Sequence, residues 1–211
     1  MAKPRRPRYR ARLAWLVPAL FAACGAAAPA GGEDAPTGEL LLAAPPDGWQ
    51  EQGAMQTPML RMAEYGPPDA GEQRLERLTF EAQSGDPLPD PIEFVRGVSR
   101  DLAERCDGFE DSNISSGYEN GYPTSVRLMI CTKFKDAELG QVVMAKAIQG
   151  NERFYVITRR LRAPPAEGGA SLLTAQEMAE WSAHLGGIRV CDTRDAKHPC
   201  PSPARGEPAE P

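Results

Sequence analysis

Histidine is nearly absent from this chain: its 211 residues contain only His184 and His198. The motifs H-E-x-x-H and G-x-S-x-G and the P-loop pattern are missing as well. Those absences remove the recognisable signatures of zinc proteolysis, nucleophile-elbow hydrolysis and nucleotide phosphate binding. A membrane-crossing apolar run is lacking too. The stretch Leu13–Ala23 spans about eleven residues, whereas a bilayer core needs roughly 20. There is no internal repeat.

Positive charge is concentrated in one place. The first twelve residues, MAKPRRPRYRAR, hold six basic side chains and no acid. Beyond residue 23, 18 Lys and Arg face 29 Asp and Glu, a net charge of −11. So acidic a chain is a poor partner for nucleic acid, where basic patches supply the affinity. Anionic head groups repel it too, so membrane attachment needs a source other than surface charge.

A basic n-region, a short apolar h-region and small residues before a cut form an export signal, placed here at residues 1–23. The run LFAACG, residues 20–25, resembles the lipobox of bacterial lipoproteins. Ala22 and Ala23 fit the small positions before Cys24, and Gly25 suits the position after it. Phe21 stands where leucine is usual, with Leu20 one place further back. The resemblance implies cleavage before Cys24, a diacylglyceryl group on its thiol and an acyl chain, such as palmitate, on its amine. Each buried methylene of such chains contributes about 0.8 kcal/mol of anchoring. The implied location is the periplasm, on the inner leaflet of the outer membrane. Residues 24–38, rich in Ala, Gly and Pro, read as a flexible tether. Cleavage after Ala28 or Ala30 is the alternative, giving a soluble periplasmic or secreted protein.

Five cysteines are an odd number for an exported chain. With Cys24 lipidated, Cys106, Cys131, Cys191 and Cys200 remain, and four cysteines allow three connectivities. Sequence order favours Cys106–Cys131 and Cys191–Cys200, because each pair closes a short local loop. An oxidising compartment supports both.

The hydrophobic pattern places one domain between residues 39 and 191, long enough for one core. MLRMAEYGPP and LERLTFEAQ read as two strands of a hairpin. Asp90 as N-cap, Pro91 at the first helical position and the stripe Ile92, Val95, Val98, Leu102 predict a helix that delivers Cys106 to the core. YPTSVRLMICTKF, GQVVMAKAIQ and RFYVITRRL predict an antiparallel meander. Its second turn is attributed to positive φ at Gly150-Asn151. Thr174 and Glu177 make a capping box ahead of the stripe Met178, Trp181, Leu185, and Gly186-Gly187 ends that helix. IRVC adds a short extended piece, and residues 192–211 form a disulfide-closed loop and a disordered tail.

The resulting class is α+β, one antiparallel sheet with helices packed on it. Its element order, the PPDGW opening and the hairpin AIQGNERFYVI resemble the PsbP-like α/β sandwich over about residues 39 to 190. The resemblance implies binding and assembly roles, an implication by fold alone.

Candidate sites are few. Arg127 and Lys133 share one face of a predicted strand, and Arg159, Arg160 and Arg162 lie close in sequence; Arg127 aligned with Arg159 would form a patch for an anionic ligand. Pairing of these arginines with local acids is the plainer reading. Tyr118 and Tyr122 sit in a predicted loop suited to contact surfaces. His184 reads as a solvated helix-end residue. CDTRDAKHPC holds zinc-compatible side chains, but without a C-x-x-C knuckle a disulfide loop is the better reading. No cofactor or metal is expected. Two functions follow. The first is a non-enzymatic, membrane-tethered envelope protein that binds a protein partner or envelope component as an accessory or assembly factor. The alternative is an exported hydrolase with scattered catalytic residues.

Overall fold

The computed structural model describes residues 37–69, 71, 74–165 and 172–201. The export signal, the Cys24 lipidation site and the tail beyond residue 201 lie outside the described residues. In chain order the elements are β1 (Glu39–Leu42), β2 (Gln50–Gln56), β3 (Leu60–Gly66), β4 (Leu75–Gln83), α1 (Pro91–Glu104), β5 (Cys106–Asp111), β6 (Ser115–Glu119), β7 (Tyr122–Phe134), β8 (Gly140–Gln149), β9 (Phe154–Ala163), α2 (Ala175–Gly187) and β10 (Arg189–Asp192).

Eight strands form one sheet in the order β2-β3-β4-β9-β8-β7-β5, with β6 also on β7. Every pairing is antiparallel. β7 is long enough to take two partners, β6 along its first half and β5 along its second. A separate two-stranded ribbon joins β1 to β10. The class is α+β, as the sequence predicts. No helix among the described residues is long and apolar enough to cross a membrane.

The central strand β8 explains why both helices are needed. Val142, Met144 and Ile148 enter one core cluster with Trp181 and Leu185 of α2. Val143 and Ala145 enter another with Leu102 of α1. A strand apolar on both faces must be covered on both. α1 starts where Asp90 accepts hydrogen bonds from the amides of Ile92 at 2.9 Å and Glu93 at 3.0 Å, with Pro91 at the first helical position. Its buried residues are Pro91, Val95, Ser99 and Leu102, so the stripe lies one position round from the expected one: Ile92 and Val98 are only half-buried. α2 has the predicted capping box at Thr174 and Glu177. Gly186 and Gly187 are its last residues, where the sequence places its end, although neither has a positive φ and Ile188 is the C-cap.

Two other expectations are corrected. SSGYENGYP is a hairpin and not a loop: Asn120 (φ 48°) and Gly121 (φ 83°) occupy the left-handed region between β6 and β7, the chemistry of a tight two-residue turn. The turn between β8 and β9 uses no positive φ. The Glu39 carboxylate accepts from the amides of Asn151 at 2.6 Å and Arg153 at 3.2 Å, and so ties β1 to that turn. Gly150 is required there because a Cβ would collide with the Glu39 carboxylate.

Candidate functional site: an apolar groove ending in two arginines

The groove lies on the α2 side of the sheet, where β2, β3 and β4 run beyond the helix. Register places Ala54 beside Ala63, and Ala63 beside Phe80. Ala82 stands opposite Arg61. Small side chains on three adjacent strands lower the floor, and Leu41 of β1 stands beside it. The hollow measures about 410 Å³ and is predominantly apolar. That is within the range of small-ligand sites, about 300–1,000 Å³. The sheet edge at β2 carries Met55, 49% exposed, and Met59 in the following turn is 58% exposed.

Gln56, Arg61 and Ala82 also line a second, polar hollow of about 390 Å³, with Thr57, Ser84 and Arg153. Arg61 thus borders both hollows, and Arg153 the polar one. Neither Arg61 nor Arg153 makes an ion pair through its side chain among the described residues. The arrangement is an apolar trough with cationic donors at one end. It supplies shape and charge for binding. Among the described residues, no group of three or more His, Cys, Asp and Glu is placed to hold a metal ion.

The side chains singled out in the sequence do not converge here. Cys106–Cys131 and Cys191–Cys200 are disulfides. Arg127 is paired with Asp111 at 2.5 Å and donates to Ser112 O at 3.1 Å. Arg159 is on the opposite face, because Leu128, next to Arg127, aligns with Met144 and Met144 with Arg159. Its guanidinium bonds Glu76 at 2.9 Å and lies 5.2 Å and 5.0 Å from the ring centres of Trp49 and Trp181. The Arg127–Arg159 patch is thus corrected: strand alternation separates the two. Lys133 is engaged by Glu138 at 2.7 Å. Tyr118 is 78% exposed, but Tyr122 is buried and stacked on His198 at 3.9 Å between ring centres, so it offers no contact surface. Burial, then the nearby Glu39 charge, pushes the Tyr122 and Tyr155 hydroxyls far above the usual phenol range. His198 Nδ1 lies 2.8 Å from Asn120 O, inside the Cys191–Cys200 loop. His184 is half-buried, with Nε2 2.9 Å from Ala44 O, rather than solvated.

Sequence reasoning missed Arg61 and Arg153, whose setting depends on a long-range register. It also missed Lys146, for which a signal existed: period two puts Lys146 on the face of Val142, Met144 and Ile148. A lysine on an apolar stripe requires a buried acceptor. It donates to Glu119 at 2.5 Å and to the α2 carbonyls of Leu185 at 2.8 Å and Ile188 at 2.7 Å.

No protein-family model matches the chain, and no curated protein does. Among solved structures, the chain is similar to LpqN, described as involved in cell envelope biogenesis of Mycobacterium tuberculosis. The identity is 13%, the match covers 75% of this chain and 86% of that one, and the TM-score is 0.41.

Proposed function

We propose that this chain is an exported binding protein of the cell envelope, tethered to the membrane through lipids on Cys24, which holds an anionic amphiphile in the groove. It acts as a non-enzymatic accessory factor in the periplasm, presenting or receiving an acyl chain with an acidic head. A helix on each face of the antiparallel sheet supports the PsbP-like sandwich reading, and the two disulfides fit an oxidising compartment.

One observation carries the ligand class. Arg61 borders the apolar trough and the polar hollow beside it, and Arg153 lines that polar hollow. Two guanidiniums left unpaired in a strongly acidic chain are complementary to an acidic head, while the alanine floor accepts the chain. The test is displacement of a fluorescent fatty acid from the full chain carrying Cys24→Ala, which removes the site of lipid attachment. Dodecanoate should compete, and dodecyl alcohol should compete less well. Arg61→Glu with Arg153→Glu should weaken dodecanoate about tenfold or more, since hydrogen bonds to charged groups contribute about 1.5–3 kcal/mol. Equal binding of acid and alcohol, unchanged by those substitutions, would refute the head-group assignment. Separately, intact mass spectrometry of the membrane-extracted protein should show an acylated N-terminus at Cys24. An unmodified N-terminus beyond it would remove the tether.

A further inference from the structure

On the opposite, α1-facing side of the sheet, Arg105 and Arg162 flank Phe134, and Arg160 lies on the same face. Val143 aligns with Arg160 and Gln141 with Arg162, which puts both arginines on the face of the Leu102 cluster. Arg105, the C-cap of α1, enters from the helix side. The guanidinium carbons of Arg105 and Arg162 each lie 5.9 Å from the Phe134 ring centre.

Three cations brought together need a counter-charge, and among the described residues none of the three makes an ion pair. Arg105 Nε donates to Asp101 O at 3.2 Å and Arg162 Nε to Gln141 Oε1 at 2.7 Å, both neutral acceptors. Arg160 Nε is buried with no acceptor, an orphan donor of the kind that calls for explanation. The pKa of Arg162 is lowered by burial, then by Arg160 and Arg105. The helix end does not oppose an anion strongly, because Arg105 and Lys135 already occupy its carbonyls at Asp101 and Glu104.

We infer that Arg105, Arg160 and Arg162 form a second binding site, one for a phosphoryl oxyanion. Guanidinium forks match phosphate oxygens bidentately, and a tetrahedral group can accept from all three at once. The Phe134 ring orients two of the forks by cation–π contact, while each keeps its Nε bond to a carbonyl or an amide oxygen. The site is independent of the groove: it lies on the other face and shares no residue with it.

The chemistry could come from free phosphate or from a phospholipid head group. The test measures thermal unfolding of the full Cys24→Ala chain with inorganic phosphate and with glycerol phosphate, against sodium chloride at equal ionic strength. At ten times Kd, phosphate should raise Tm by about 3–6 °C. Arg160→Gln and Arg162→Gln should each abolish the rise, whereas Arg100→Gln, an exposed helix position, should leave it intact. Stabilisation by inorganic phosphate alone assigns the site to a small solute; stabilisation by both assigns it to head groups as well. No rise with either anion, or a rise that survives Arg160→Gln with Arg162→Gln, would overturn the inference. So would equal loss in Arg100→Gln, since that outcome reports overall charge.

Discussion

Lys146 Nζ lies 2.5 Å from Glu119 Oε2, and the lysine side chain is fully buried while the glutamate is about one-third exposed. The same ammonium accepts no water-facing role: its other two donors go to the carbonyls of Leu185 and Ile188. A strand residue thereby closes the C-terminus of α2, where four carbonyls lack intrahelical donors. Burial lowers the lysine pKa, and the bond to Glu119 works against that effect. Replacing Lys146 by Met keeps the volume and strands the acceptors. Glu119, one-third exposed, can be resolvated, but each stranded carbonyl costs about 1–3 kcal/mol. Lys146→Met should therefore lower the urea midpoint by a corresponding amount and detach α2. A loss under about 1 kcal/mol would show that water reaches those carbonyls.

Arg159 makes a second buried junction, between Trp49, Trp181 and Glu76. Lysine has neither a planar group to stack on two indoles nor a fork for the carboxylate. Arg159→Lys should cost about 1–2 kcal/mol, the scale of a desolvated cation–π contact. It should also change the near-ultraviolet circular dichroism, to which these two indoles contribute. An unchanged spectrum with unchanged stability would leave the sandwich without energetic weight.

The helices and the β7–β8–β9 meander were legible because each has a period the core enforces. YPTSVRLMICTKF is β7 residue for residue, and Thr174 with Glu177 marks the start of α2. β2 was not legible: QEQGAMQ is exposed along its whole length, so no apolar face imposed alternation. β6 was hidden by its turn-rich composition, and its pairing comes from β7 rather than from its own side chains. The groove was unreadable for a related reason. Ala54, Ala63 and Ala82 are unremarkable singly and become a floor only when three strands align.

The two disulfides should differ in weight. In the chain-entropy account, stabilisation grows with the closed loop: about 3–4 kcal/mol for Cys106–Cys131, separated by 25 residues, and about 2–3 kcal/mol for Cys191–Cys200, separated by 9. Urea melts of the paired serine variants should preserve that order. Cys191→Ser with Cys200→Ser should also free His198 from Tyr122, visible as a shift of the histidine ring resonances. A larger loss from the shorter loop would mean that its packing on Tyr122 outweighs the entropy of closure.

Acid should act through the α2 N-terminus. Glu177 accepts from the amide of Thr174 at 2.7 Å and its hydroxyl at 2.9 Å, and is paired with Arg74 at 2.5 Å. The Thr174 amide is the largest cause of its lowered pKa; burial opposes it, and the Thr174 hydroxyl and Arg74 add to the lowering. A carboxylate depressed in the folded state stabilises fully above its ordinary pKa. That contribution fades as pH falls through the depressed value. The stability gap between the native chain and Glu177→Gln should thus be widest near pH 7 and should narrow towards pH 3. Urea midpoints of both proteins across that range measure it. Because Glu177 is about one-third exposed, salt should shrink the Arg74 share of the gap while leaving the amide share. A gap that stays constant from pH 7 to pH 3 would mean that the glutamate's charge adds nothing to the cap.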